Sequence, residues 1–129
     1  MSELYEKSLQ KLELDQVLQR LSACAGSEGG KAACLRLRPT SDLEEVTLLL
    51  QQTTAASDLC ARKGNPVFGD VTDVSSSLER AERGGTLQPK ELLRVAGILR
   101  CARTIQGYVS PDDPKTVLDS LFRSLTPNK

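Results

Sequence analysis

Apolar side chains recur along this chain at three- and four-residue intervals, and nowhere alternate with polar ones for more than a few residues. That spacing predicts helices rather than strands. Leu14, Val17, Leu18 and Leu21 mark the first stripe, on a segment from about Leu4 to Ala25 that breaks near Leu14, with Asp15 as the cap of its second half. The glycines of "CAGSEGG" end it. A short helix follows from Ser27 or Glu28 to Leu37; Arg36 and Arg38 suit the negative end of its dipole, and Pro39 forbids continuation.

The clearest helix start is "TSDLEEVTLLLQQTTAASDLCARKG". Ser41 or Thr40 is the expected N-cap, with Glu44 as capping-box partner of Ser41. Leu43, Val46, Leu49, Leu50 and Thr53 form one side, and Arg62, Lys63 and Gly64 form a stop signal. "GNPVFGDV" reads as a loop whose Val67 and Phe68 tuck into the core. A helix from about Thr72 to Arg83 points Val74, Leu78 and Ala81 inward, and Gly84 or Gly85 supplies the left-handed residue that ends it. Pro89 at the first position and Glu91 at the third then open a long helix to about Val109, striped by Leu92, Val95, Ala96, Leu99, Ala102, Ile105 and Val109. Its N-cap, Gln88, is a weak one. "SPDDPK" breaks the chain, Asp112 or Asp113 caps a last helix to about Leu125, and "TPNK" offers no closing element.

The pattern gives an all-α fold: one helical domain over residues 1–129, a bundle of five to six helices with short loops and no significant sheet. Composition agrees. Aromatics are only 3%, so the core must be built from Leu, Val, Ile and Ala. Lysine plus arginine balances aspartate plus glutamate at 17 each, so net charge gives no pull toward nucleic acid or membrane. Cys24, Cys34, Cys60 and Cys101 are spaced by 10, 26 and 41, without a close pair and without any histidine, which argues for reduced core thiols over a zinc site. The charged start "MSELYEKSLQKLEL" is no secretory signal, and the expected location is the cytoplasm.

Little chemistry is encoded. "GSEGGKA" lacks the P-loop spacing: three residues, not four, separate Gly26 from Gly30, and Ala32 stands where a magnesium-holding hydroxyl belongs. The Gly84–Gly85 pair has no strand before it and reads as a helix–corner–helix joint. Without histidine there is no Ser–His or Cys–His nucleophile. The carboxylate pairs Glu44–Glu45 and Asp112–Asp113 sit at expected helix starts, where capping explains them. The remaining candidate is a cationic face of the long helix, Lys90, Arg94, Arg100 and Arg103, open to nucleic-acid phosphate or to a partner but lacking aromatics for base stacking. No catalytic, cofactor-binding or metal-binding residue is assigned.

The stretches "LELDQVLQRLSACAGSEGGKAACLRLRPTSDLEEV" and "ERAERGGTLQPKELLRVAGILRCAR" resemble the N-terminal end of the second branch of the bacterial MutS family, MutS-two. Leu12, Glu13, Asp15 and Leu18, the Leu37-Arg38-Pro39 corner, and Arg80, Ala81, Glu82, Gly84 and Gly85 carry it, over nearly the whole chain. Gln88 and Gly29 depart from the usual pattern, at helix ends. The resemblance implies an N-terminal fragment of a longer chain with an ABC-type ATPase using ATP and magnesium, a clamp, and a Smr nuclease-like domain. Such chains act as homodimers on branched DNA, restraining recombination, or on stalled ribosomes. This segment would then be a non-catalytic connector whose partners are the clamp and ATPase of its own chain, with no membrane involved. The alternative is a free-standing helical protein-interaction module; a small enzyme ranks last. The first reading expects a P-loop encoded downstream, the second a stop soon after Lys129.

Overall fold

A computed structural model describes residues 2–69 and 71–126. The expectation about how "TPNK" ends the chain falls largely outside these residues. Among them are seven helices and no strand: α1 (Glu3–Lys11), α2 (Leu14–Cys24), α3 (Glu28–Arg36), α4 (Leu43–Lys63), α5 (Ser75–Glu82), α6 (Pro89–Gln106) and α7 (Asp119–Ser124). The fold is all-α, with more helices than the five to six expected. The helices form two compact units, Met1–Arg38 and Pro39–Lys129. The boundary is Pro39, whose ring removes a backbone donor and keeps the preceding residue out of helical geometry.

In the first unit, Glu13 adopts a left-handed conformation, φ 55°, and turns the chain between α1 and α2. It holds the cap position expected of Asp15, which instead lies in the first turn, where its charge suits the dipole. Ser27 caps α3 by accepting the Gly30 N–H at 3.1 Å. The α2–α3 pair is joined where the Ser22 hydroxyl donates to the Lys31 carbonyl at 3.3 Å, beside buried Leu18.

In the second unit, α4 is capped by Asp42, not by Ser41 or Thr40. Its carboxylate accepts the N–H groups of Glu44 and Glu45 at 2.9 and 3.1 Å. A charged acceptor one residue nearer the helix outcompetes the hydroxyls. Thr40 bonds the Glu45 side chain instead, at 2.8 Å. Gly64, φ 78°, closes the helix. The start of α5 is later than Thr72 because Asp73 first accepts the Ser75 N–H and hydroxyl at 2.9 and 2.6 Å. Its end is a Schellman motif: the Gly85 N–H reaches the Arg80 carbonyl and the Gly84 N–H that of Ala81, with Gly84 at φ 83°. The glycine pair is a corner.

Two expectations fail near the end of the chain. The α6 helix stops at Gln106 rather than Val109, with Gly107 as its cap. Asp112 and Asp113 cap no helix: Asp113 accepts the Ser110 N–H at 2.7 Å and pairs with Lys63, tying the α6–α7 connection to the end of α4. The Tyr108 hydroxyl adds a bond to the Gly64 carbonyl at 2.7 Å. Leu59, Ile105 and Leu118 are the buried apolar side chains here. Val67 and Phe68 do not join them, at 71% and 41% exposed. Their loop is held through its backbone, the Cys101 thiol donating to the Phe68 carbonyl with S···O 2.8 Å.

The same substitution should act oppositely at two glycines. A Cβ on Gly85 would lie 2.6 Å from Arg80 Cγ and 2.8 Å from the Arg80 carbonyl oxygen, whereas one on Gly97 meets nothing within 4 Å. Urea unfolding is expected to show Gly85→Ala destabilising by about 1–3 kcal/mol and Gly97→Ala stabilising by about 1 kcal/mol.

Candidate functional site

Pro89 starts α6, and Glu91, one turn in, fixes how the helix is set against α5. One Glu91 oxygen accepts the Gln88 N–H at 2.7 Å; the other accepts the Ser77 hydroxyl at 2.8 Å and pairs with Arg80. The Gln88 N–H bond, then Arg80 and Ser77, hold its carboxyl down at a pKa of about 2, from an ordinary 4.5. The ionised form is thus favoured by folding.

With α6 so placed, Lys90, Arg94 and Arg100 line one cleft of about 560 Å³. Its other rim is the loop carrying Val67, Gly69 and Thr72, and Gly97 opens its middle. The Cys101–Phe68 bond pins that loop to the helix. Lys90 to Arg100 spans roughly 15 Å of helix axis, and among the described residues no carboxylate lines the cleft. Among the described residues none of these three side chains makes an ion pair. Thr72 Oγ1 is buried without a hydrogen-bond partner among them. Unpaired guanidinium forks in one cleft are equipped to hold an anion.

Arg103 lies elsewhere. It is on the same helix, but roughly 140° around the axis from Lys90, and it does not line the cleft. The sequence reading also missed Thr72, Gly97, Cys101 and Thr104. Helical spacing from Lys90 through Arg94, Gly97, Cys101 and Thr104 was the available signal for the helix side; the loop side carried none. Among the described residues no three histidine, cysteine, aspartate or glutamate side chains are grouped as a metal site would need.

No family model matches the chain, and no solved structure does. Curated proteins do. The chain is 36% identical over 127 residues to "Endonuclease MutS2" of Ruminiclostridium cellulolyticum, covering 96% of this chain and 16% of that protein. It is 37% identical over 120 residues to the Acetivibrio thermocellus protein of the same name, covering 93% and 15%. This chain belongs to the MutS2 family. The protein of that name from Bacillus velezensis is 32% identical over 107 residues, which are 14% of its length. The match thus takes in most of this chain and a small part of each MutS2 relative.

Two measurements probe the geometry. Glu91 has a depressed folded pKa, so its stabilisation is complete above about pH 4.5 and is lost as pH falls toward about 2. Thermal melts between pH 5 and 2 should therefore show an acid limb that Glu91→Gln makes shallower. Thr72→Val, which deletes the unpaired hydroxyl at constant shape, should raise unfolding free energy by about 1 kcal/mol in urea titrations.

Proposed function

We propose that this chain is a non-catalytic helical core segment of a MutS-type DNA-binding ATPase, joining the engine that binds ATP and magnesium to the clamp arms. The supporting observation is the match itself, 96% of this chain against 16% of a MutS2 relative. The ATPase and nuclease chemistry then lies in the remainder of the chain, which would act as a homodimer in the cytoplasm. Its target is branched DNA, in suppression of recombination, or a stalled ribosome. Packed helices suit a connector because they transmit a nucleotide-driven movement as rigid bodies.

The exposed leucines fit that role. Leu43 on α4 is 78% exposed and Leu93 on α6 is 66% exposed, and Leu50, Leu92 and Leu121 are also open. Leaving such side chains wet forgoes roughly 25 cal/mol per Å² that burial would contribute, and large apolar patches mark surfaces that other parts cover.

The test is to sequence past the codon for Lys129 and to assay the 129-residue chain for ATP hydrolysis and nuclease activity. The expected result is an open frame reaching a Gly-x-x-x-x-Gly-Lys-Ser/Thr segment, with neither activity in the chain alone. A stop codon directly after Lys129, or ATP turnover by the chain alone, would overturn the reading.

A further inference from the structure

We infer that the cleft lined by α6 and by Val67, Gly69 and Thr72 is a docking groove for an acidic amphipathic helix of a protein partner. This goes beyond the segment's place in a larger protein and does not depend on it.

Charge sets the sign of the occupant. Lys90, Arg94 and Arg100 face one groove without an ion pair among the described residues, although the whole chain is electrically balanced at 17 charges of each sign. An occupant must bring carboxylates or phosphates. The apolar lining decides between them. Leu93 and Val67, 66% and 71% exposed, stand in the same groove as the cations. A phosphate backbone would leave both wet, and the groove lining includes no aromatic side chain on which a base could stack. A helix with a leucine seam flanked by glutamates covers the apolar side chains and pairs the cations at once.

Gly97 supplies an independent argument. Glycine inside a helix is costly relative to alanine. Among the described residues nothing requires it, since an added Cβ meets none of their atoms within 4 Å. The open space lies midway along the groove, where it lets an incoming backbone approach α6 closely. From Lys90 to Thr104 the groove runs about 21 Å, the length of a helix of about four turns.

The experiment is fluorescence anisotropy with the 129-residue chain and a fluorescein-labelled helical peptide of about four turns, carrying a leucine seam flanked by glutamates. A lysine-for-glutamate counterpart serves as control. The chain should bind the acidic peptide and not the basic one. Arg94→Glu should weaken binding at least tenfold, and Arg94→Glu combined with Arg100→Glu should turn preference to the basic peptide. Gly97→Leu should abolish binding while raising the melting temperature, so lost binding cannot be ascribed to unfolding. The inference is overturned if Arg103→Glu, an equal charge change outside the groove, weakens binding as much as Arg94→Glu, or if Gly97→Leu binds normally. It is also overturned if a duplex oligonucleotide displaces the peptide with the same dependence on Arg94 and Gly97, which would make the groove a phosphate site. Self-association of the wild-type chain that Gly97→Leu removes would identify a second copy as the occupant and equally sink the partner assignment.

Discussion

The carboxylate of Glu91 is the interaction on which the placement of α6 in the second unit depends. It closes the first turn of α6 by accepting the Gln88 N–H, and it binds α5 through Ser77 and Arg80. One ionised group thus both caps a helix and sets it against its neighbour. The rotation of α6 follows, and with it the face that Lys90, Arg94 and Arg100 present beside Val67, Gly69 and Thr72. Charge-assisted bonds of this kind are directional as well as strong, which suits them to orient a helix that buries little.

Little is indeed buried. Leu18 in the first unit and Leu59, Ile105 and Leu118 in the second are the buried apolar side chains. Polar ties at helix ends therefore carry much of the order: Ser22 to Lys31, Tyr108 to Gly64, Gln106 to Leu125, and Lys63 with Asp113. Burial raises the Tyr108 pKa, while Lys63 and the Ser110 N–H lower that of Asp113, so both groups keep the protonation state that these ties use at neutral pH. A segment built this way has leucines to spare on its surface.

The sequence by itself determined the helical class and most of the helix limits. The physical reason is locality: Pro39, Gly64, the Gly84–Gly85 corner and Pro89 act through backbone geometry within a turn of where they stand. Where two local signals competed, the expected limits are off by one to three residues. Asp42 displaced Ser41 as the α4 cap, Asp73 delayed α5, and Gly107 ended α6 early. The family, too, was legible in the sequence, and nearly the whole chain matches a MutS2 protein at 36% identity.

Tertiary structure decided which side chains meet. Asp113 read as a cap and instead reaches Lys63, fifty residues away. Val67 and Phe68 read as core and instead lie exposed, because the Cys101 thiol holds their loop by its backbone. The cations of α6 were visible as a charged face, but only the fold separated Arg103 from the other three and set Thr72 and Gly97 among them. Spacing along a helix fixes which residues share a face; what stands opposite that face depends on a chain segment whose position no local pattern encodes.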